Sequence, residues 1–288
     1  MFAVMKFQKV TLKQDFLKPL SKIPDPPKFL WLQGELPEGD RPKVVSIVGS
    51  RKNTKYGEEV AYRLAYDLAR HGIIVVSGLA YGIDACAHRG CLDGGGITIA
   101  VLGTAIDHIY PATNRALAQK ILERGAILSE YAVGAPTYQS NFPERNRLVS
   151  GLADAVVIVE AAARSGTSIT ATHALEQGRD VFAVPGDITR PMSVGCNRLI
   201  KQGALPFTET EDILGVLFPH QAKQLKFAVF GDTENEQKII DALRSGLRDG
   251  DQIIQTLNFS ASTFNQTVTL LEIKGLIRPL GANHWVLV

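Results

Sequence analysis

The sequence predicts a doubly wound α/β domain with a mostly parallel sheet, followed by a small winged-helix domain. Short apolar runs rich in valine and isoleucine recur as far as Val184, and segments of helical periodicity lie between them. This alternation is typical of a sheet whose strands are connected by helices on both faces. After Pro219 the strand pattern stops, and three helical segments precede an apolar hairpin.

Five strands are predicted, because runs that are apolar at nearly every position are typical of parallel strands buried on both faces. The helix after the first strand is indicated by Val60, Leu64 and Leu68, which repeat at helical spacing before Gly72 ends the pattern. The strands are expected at residues 44–48, 73–76, 97–102, 155–159 and 181–184.

The segment before the first strand is rich in proline. Residues 23–42 include Pro24, Pro26 and Pro27, and proline has no amide hydrogen to donate to a helix or a sheet. We predict no regular element in this segment. We expect an ordered arm or linker instead, anchored by Trp31.

The C-terminal part is predicted to be a winged helix, which consists of three helices and a β-wing. The helices are expected at residues 236–247, 252–257 and 262–274, and the wing at residues 276–288. The predicted organisation is therefore an N-terminal extension and Pro-rich lead-in at 1–42, an extended Rossmann-like domain at 43–218, a linker at 219–235 and a winged-helix domain at 236–288.

The composition excludes several classes of protein. With 31 Lys or Arg against 29 Asp or Glu the net charge is only +2, too low for a protein that coats nucleic acid by charge alone, so any phosphate site must be local. No run approaches the roughly 18 to 20 apolar residues of a membrane span, and the N-terminus has no apolar signal core. Three cysteines without a CxxC pair fit neither a disulfide framework nor a zinc site. We expect a cytoplasmic protein without a membrane partner or a metal.

Candidate ligand residues follow the predicted strands, because ligands of such folds bind beyond the carboxyl ends of the strands. The first strand leads into Gly49, Ser50, Arg51 and Lys52 and then into a helix. Backbone amides, the helix N-terminus and two cationic side chains would converge there on a phosphate. A tight turn with surface charges is the alternative interpretation.

Two later segments offer similar chemistry. Phe142 precedes Arg145 and Arg147 at the start of an apolar helix, which suits a base stacked on the ring beside phosphate clamps. A helix-terminal phenylalanine staple with a solvated arginine pair is equally compatible with this spacing. Residues 164–168 form a possible second nest of backbone amides and hydroxyls before another helix. Two such nests suit successive phosphates of one strand.

Catalytic groups are not evident. Asp84 and His88 stand four apart on a predicted helix and could form an acid–base pair or half a metal site, but without a third ligand a capping aspartate and a structural histidine are favoured. The sequence has no GxxxxGKS/T, GxGxxG, HExxH or GxSxG motif. Anion sites without a nucleophile and its base favour binding over catalysis, so we predict neither an enzyme nor a cofactor.

Seven segments together resemble the DNA-processing protein A family, also called DprA or Smf. They are GSR at 49–51, SGLAYGID at 77–84, AVLGTAIDHIYPATN at 100–114, NFPERNR at 141–147, RSGTSITA at 164–171, GRDVFAVPGD at 178–187 and GCNRLIKQGA at 195–204. The resemblance extends from about residue 23 to the C-terminus. It implies an extended Rossmann-like fold that forms a homodimer, binds single-stranded DNA, protects incoming strands and loads the RecA recombinase during natural transformation.

The resemblance also implies roles for individual residues. Arg51 matches a phosphate-binding arginine, Phe142 a stacking aromatic and Arg145 an arginine that contacts the DNA backbone. The other residues of the matching motifs are Gly49, Ser50, Asn146 and Arg147, together with a second phosphate-contacting loop of Ser165, Gly166 and Thr167.

The chain departs from the family pattern at several positions. Thr167 replaces the second serine of the usual SGS, which is a chemically similar change. The lysine that some members have just upstream of the aromatic is missing at 138–140, and Gly103 alone remains of a common glycine pair. We expect the first 22 residues to be too short for the N-terminal helical domain of several members.

Two alternatives come from other classes of protein. Lysine-decarboxylase-like nucleoside monophosphate phosphoribohydrolases have a related fold and a PGGxGTxxE loop, but Thr170 stands where their glutamate would be. A winged-helix transcription factor would place residues 262–274 in the major groove, where Lys274 is the one cation. A structural or protein-contact role of the winged helix is favoured over duplex binding.

Overall fold

The computed structural model describes residues 7–163, 165–219, 231–281 and 283–287. The chain divides into two compact units, Met1–Leu217 and Phe218–Val288. Most of the predicted linker at 219–235 lies outside the described residues, and so does Arg164 of the predicted second nest. Among the helices of the described ranges, none has the length and apolar composition needed to cross a membrane.

Within the described residues, the first unit contains one nine-stranded sheet. Its strands are β1 Gln8–Val10, β2 Leu30–Gly34, β3 Val44–Val48, β4 Ile74–Ser77, β5 Thr98–Ala105, β6 Ala126–Tyr131, β7 Ala155–Ile158, β8 Asp180–Ala183 and β9 Leu205–Pro206. They lie in the order β1-β2-β6-β5-β4-β3-β7-β8-β9. All neighbours from β6 to β9 are parallel, whereas β1 and β2 form an antiparallel edge next to β6.

In the described part of this unit, six helices connect the parallel strands and cover both faces of the sheet, and a seventh follows β9. They are α1 Lys55–Arg70, α2 Ile83–Asp93, α3 Arg115–Leu122, α4 Asn141–Leu152, α5 Thr167–Glu176, α6 Val194–Lys201 and α7 Thr210–Leu217. Alternate residues of β5 pack into two different apolar clusters, because successive side chains of a strand point to opposite faces. Ile99 and Val101 join the cluster that includes α4, whereas Ala100 and Leu102 join the cluster that includes α3.

The order of the strands reverses between β3 and β7. From β3 the chain moves outward through β4, β5 and β6, and then returns to place β7 on the other side of β3. The loops that follow neighbouring parallel strands meet at one edge of the sheet, and a reversal of strand order opens a crevice there. We call the loops that follow β3, β4, β5 and β7 the carboxyl rim.

The predicted fold class is confirmed. All five predicted strands are present close to their expected bounds, and the sheet is mostly parallel with helices on both faces. The strand β6 was not predicted, because its apolar run, Ala126 to Leu128, ends after three residues at Ser129.

The prediction of no regular element within residues 23–42 is wrong. Residues 30–34 form β2, which pairs with β6 and places Trp31 opposite Ser129. The prolines of this segment lie outside the strand, and Leu30 and Leu32 alternate with less buried residues as a half-buried strand requires. Pairing with a distant strand therefore determines the conformation of this segment more strongly than its local proline content does.

The second unit is a winged helix, as predicted. Its helices are α8 Glu234–Arg244, α9 Gly250–Leu257 and α10 Ala261–Ile273, and its wing consists of β10 Ile277–Gly281 and β11 His284–Leu287. Each helix has a side-chain N-cap, from Thr233, Asp249 and Ser260 respectively. Phe264 lies fully buried at the centre of the core, and its ring meets Trp285 of the wing edge to face at 5.5 Å between centroids.

We predict that Phe264→Ala lowers the free energy of unfolding of the winged-helix unit by about 3 to 5 kcal/mol, because the substitution leaves a cavity in the core. Urea unfolding followed by Trp285 fluorescence measures this in a Trp31→Phe background, since the chain has 2 tryptophans. Leu270→Ala on the same helix is the control, because that side chain is half exposed and its removal changes the stability by about 0.5 kcal/mol or less. Equal effects of the two substitutions would contradict the described core.

Candidate nucleic-acid interface

Gly49, Ser50 and Arg51 form the turn that follows β3. A Cβ atom at Gly49 would lie 2.6 Å from Ile83 Cγ1, so the close contact of this turn with α2 requires glycine. The Ser50 carbonyl accepts a hydrogen bond from the Ile83 amide at 3.3 Å, and the Ser50 hydroxyl accepts one from the Lys52 amide at 3.0 Å. These bonds fix the turn, and Arg51 is exposed on it.

The N-terminus of α1 lies farther along the chain than the phosphate-site prediction supposed. Thr54 caps the helix by accepting a hydrogen bond from the Gly57 amide at 3.2 Å. The buried carboxylate of Glu160, just after β7, accepts from the Thr54 amide at 2.9 Å and from the Thr54 hydroxyl at 2.5 Å. The protein's own carboxylate therefore occupies this N-terminus, and the expected convergence of the helix end with the cations is not found. Arg51 and Lys52 are the exposed cations of this loop.

The segment 141–147 forms the first turns of α4, so Phe142 and the two arginines lie at the start of a helix, as predicted. Phe142 and Arg145 are three residues apart and therefore lie on one face of α4. The centroid of the Phe142 ring is 5.6 Å from that of Tyr110, and the guanidinium carbon of Arg51 is 5.4 Å from the Phe142 centroid. A cation and two aromatic rings from three separate segments thus meet at the carboxyl rim.

Arg145 is buried, with 4% of its surface exposed. Its guanidinium donates hydrogen bonds to the carbonyl oxygen of Gly78 at 2.6 Å and to that of Val101. A Cβ atom at residue 78 would lie 2.4 Å from Arg145 Nη2, so this contact requires glycine there. Burial lowers the pKa of Arg145 to about 10, which leaves the side chain charged at neutral pH. Arg145 therefore joins α4 to β5 and to the loop after β4, and adds positive charge beneath the rim.

Asp84 and His88 both make structural hydrogen bonds, but the predicted capping role of Asp84 is wrong, because Gly82 is the N-cap residue of α2 and Asp84 bonds to the preceding loop. The Asp84 carboxylate accepts from the Gly78 amide at 3.1 Å and from the Ala80 amide at 3.4 Å, and burial raises its pKa. His88 Nδ1 lies 2.7 Å from the Thr98 hydroxyl, and burial lowers the pKa of His88 to about 3, so its ring is neutral. Among the residues that the structure describes, no three His, Cys, Asp or Glu side chains are placed to hold a metal ion.

Asn146 and Arg147 differ in their surroundings. The Asn146 side-chain oxygen accepts a hydrogen bond from Arg145 Nε at 3.4 Å, so Asn146 lies next to Arg145 at the carboxyl rim. Arg147 turns away and forms salt bridges with Glu130 at 2.8 Å and with Asp25 at 3.0 Å. Burial alone would lower the pKa of Arg147, but the hydrogen bonds to the two carboxylates outweigh it, so the pKa is raised overall. The structure thus places Arg147 in an ion-pair network with the segment before β2.

Ser165, Gly166 and Thr167 form the start of α5, in the loop after β7. The Ser165 hydroxyl donates to the Thr167 hydroxyl at 2.9 Å and accepts from the Thr167 amide at 3.2 Å. Gly166 is exposed at the N-cap position. Since β7 is the neighbour of β3, this loop and the Arg51 turn share the carboxyl rim.

Two tyrosines of the rim were missed by the sequence prediction. Tyr81 and Tyr110 are 46% and 48% exposed, in the loops that follow β4 and β5. Together with Arg51, Phe142 and the buried Arg145 they line a small cavity of about 30 Å³. In the sequence, each tyrosine follows a strand by a few residues. That position alone does not indicate a site, because only the order of the strands shows that the two loops are neighbours.

The fold and the site define a Rossmann-like protein whose rim suits an anionic ligand with flat rings, joined to a winged helix. The family model for DNA recombination-mediator protein A matches residues 9–218, and the model for the DprA winged helix domain matches residues 225–283. The chain belongs to this family, so the predicted resemblance is confirmed. The family description is that of a mediator, in agreement with the prediction of a protein that is not an enzyme.

Curated relatives and solved structures agree with this membership. Protein Smf of Escherichia coli (strain K12) is 46% identical over 191 residues, which are 66% of this chain and 51% of the relative, so the chain spans about half the length of that protein. DNA processing protein DprA of Streptococcus pneumoniae (strain ATCC BAA-255 / R6) is 43% identical over 195 residues, 68% of each chain.

Two solved structures have the same fold. The X-ray structure of DprA from Streptococcus pneumoniae is similar with a TM-score of 0.67 and 40% identity over 73% of this chain and 74% of that one. DNA processing protein A from Helicobacter pylori, whose structure describes a single-stranded DNA binding mode, has a TM-score of 0.68 and 30% identity over 76% of this chain and 99% of that one.

We predict that Arg145→Ala lowers the free energy of unfolding by about 3 to 5 kcal/mol, because it leaves two buried carbonyls without their donor and removes the positive charge that stabilises the buried Asp84. Urea unfolding measures the change. Arg51→Ala is the matched control and alters stability by about 0.5 kcal/mol or less, since that side chain is exposed. In a double-mutant cycle, Asp84→Ala is less harmful when Arg145 is already alanine. Additive effects of the two substitutions would contradict the described coupling.

Proposed function

We propose that this chain binds single-stranded DNA along the carboxyl rim, protects incoming strands and loads the RecA recombinase during natural transformation and recombination. The observation behind the proposal is the cluster of Arg51, Phe142 and Tyr110, in which an exposed cation lies beside two aromatic rings. Membership of the family and the single-stranded DNA binding of the Helicobacter pylori relative support the same ligand.

The chemistry of the cluster suits a flexible strand better than a duplex. A guanidinium attracts a phosphate, and an aromatic ring stacks on any unpaired base, so the combination binds single strands with little sequence preference. The bases of a duplex are already stacked on each other and do not reach such a ring. We propose that Gly49, Ser50 and Arg51 contact one phosphate, and that Ser165, Gly166 and Thr167 contact another along the same strand.

The four residues of the segment within α4 contribute in different ways to the proposed site. Phe142 provides the stacking surface, and Asn146 lies beside it. Arg145 acts on the strand from below the surface, through its charge and through the position it gives to Phe142 and Gly78. Arg147 contributes through the ion pairs that hold α4 on the sheet.

The structure gives no support to the phosphoribohydrolase alternative. Thr170, at the position of the required glutamate, is buried within α5. Two carboxylates of the rim loops, Asp84 and Glu160, are both buried and hydrogen-bonded to backbone amides, and the exposed Asp107 accepts a hydrogen bond from the Gly134 amide. A carboxylate held in this way is not positioned to protonate or attack a substrate. We propose a binding function without catalysis and without a cofactor.

The remaining parts of the proposal rest on family resemblance. These are the homodimer, the contact with RecA and the location in the cytoplasm. Sedimentation equilibrium tests the dimer. Loading is tested by the rate at which RecA assembles on a single strand that is already covered by a single-strand-binding protein, and no acceleration by this chain would contradict it.

We propose a structural or protein-contact role for the winged helix. Residues 231–287 contain five Lys or Arg against seven Asp or Glu, a balance that repels the phosphates of a duplex. Lys274, at the end of α10, lies 2.7 Å from Glu236 Oε1 and 2.8 Å from Asp232, so its charge is compensated within the unit. Preferential binding of duplex over single-stranded DNA by the full chain would overturn this assignment.

We predict that Arg51→Ala weakens binding of single-stranded DNA and reduces the slope of log K against log salt by about 0.7, the contribution of one phosphate contact. Filter binding or fluorescence anisotropy with oligodeoxythymidylate at several salt concentrations measures the slope.

The matched control for this experiment is Arg70→Ala. It removes the same charge at the C-terminal end of α1, which lies at the opposite edge of the sheet, since a crossover helix runs antiparallel to its strands. The control leaves the slope unchanged. Equal slopes for Arg51→Ala and the unmodified chain would exclude Arg51 from the strand's path.

A further inference from the structure

Two aromatic rings of the carboxyl rim are half exposed. Tyr110 is 48% exposed although its ring meets Phe142, and Tyr81 is 46% exposed on the neighbouring loop. Half-exposed rings of this kind, grouped around one opening, are typical of a binding surface rather than of a core. Neither tyrosine belongs to the phosphate-contacting set considered so far.

The two loops that hold these tyrosines are fixed to one another. The buried side-chain amide of Asn114 donates to the carbonyl of Leu79 at 3.0 Å and to that of Ala80 at 3.2 Å. The loop with Tyr110 is closed further by the Thr104 hydroxyl, which donates to the His108 carbonyl at 2.5 Å. The rings are therefore held in place before any ligand arrives, which reduces the entropy lost on binding.

The space between the rings defines what kind of ligand fits. The enclosed cavity is about 30 Å³, far below the roughly 300 to 1,000 Å³ of a small-molecule site. It accepts only the edge of a flat group, while the face of that group rests on the exposed part of the rings. Arg51 lies directly beside it and provides the charge for an attached phosphate. A flat ring joined to a phosphate chain is a nucleotide unit of a single strand.

We propose that Tyr110 and Phe142 together form a pocket for one nucleobase, and that Tyr110 is a base-contacting residue of the site. The base lies against the Tyr110 ring with its edge directed toward the cavity, while the adjoining phosphate is held by Arg51. The proposal rests on the proposed function, because it assumes that a single strand follows the carboxyl rim. It adds a base contact from the loop after β5 to the contact expected from α4.

The test compares Tyr110→Ala with the unmodified full chain on two ligands, oligodeoxythymidylate and an abasic oligonucleotide of equal length. Loss of one stacked base lowers affinity for oligodeoxythymidylate about tenfold. Affinity for the abasic strand is unchanged, because the phosphates and Arg51 remain. Tyr110→Phe keeps the ring and retains most of the affinity. Tyr66→Ala, which removes an exposed tyrosine of α1, is the matched control and has no effect on either ligand.

The outcomes separate this proposal from the proposed function. If the unmodified chain binds neither oligonucleotide, the proposed function fails. If the unmodified chain binds oligodeoxythymidylate and Tyr110→Ala binds it equally well, only the base pocket is overturned. An equal loss on the base-bearing and abasic strands also overturns the pocket, because it shows that Tyr110 supports the backbone contacts rather than a base. An unchanged urea midpoint of Tyr110→Ala confirms that the variant is folded.

Discussion

The buried guanidinium of Arg145 holds the carboxyl rim together. It donates to the Gly78 carbonyl on one side of the loop after β4, while Asp84 accepts from the Gly78 amide on the other. The peptide groups around Gly78 are thereby fixed between a cation and a carboxylate, both removed from water. Removing either one leaves the other charge buried and without its counterpart, which is far more costly than losing an exposed ion pair. Because Arg145 belongs to α4, the same bonds also fix the position of Phe142.

The other constraint is the carboxylate of Glu160 at the N-terminus of α1. In a Rossmann-like sheet the helix after the first strand ordinarily offers free amides to a bound phosphate. Here the Thr54 amide and hydroxyl both donate hydrogen bonds to the Glu160 carboxylate, so the protein's own side chain occupies the place of a phosphate at this helix N-terminus. In the proposed function, an anionic ligand is instead held by side chains such as Arg51 and by the loop after β7. This arrangement suits an extended strand that passes along the rim better than a nucleotide cofactor inserted in the crevice.

Most of the architecture could be predicted from the sequence, because buried parallel strands are apolar at nearly every position and winged helices have a distinctive order of elements. The strands β2 and β6 could not be predicted, since neither run is long or regular enough and both depend on pairing with strands that are distant in the chain. Gly49 and Arg51 were found from the end of a predicted strand, and Phe142 from the start of a predicted helix. What the sequence could not reveal is burial: Arg145 and Arg147 look alike in the motif, yet one is enclosed beneath the rim and the other is paired with Glu130 and Asp25.

Contacts between side chains of different loops could not be predicted from the sequence either. Tyr110 meets Phe142 only because β5 lies next to β4 and α4 begins above them, an arrangement that depends on the order of strands in the sheet.

The central claim is that a single strand of DNA lies along the carboxyl rim. A crystal structure of the chain with a short oligodeoxythymidylate tests it most directly. We expect a phosphate within hydrogen-bond distance of Arg51 and a base against Phe142, and a strand bound on any other surface would contradict the account.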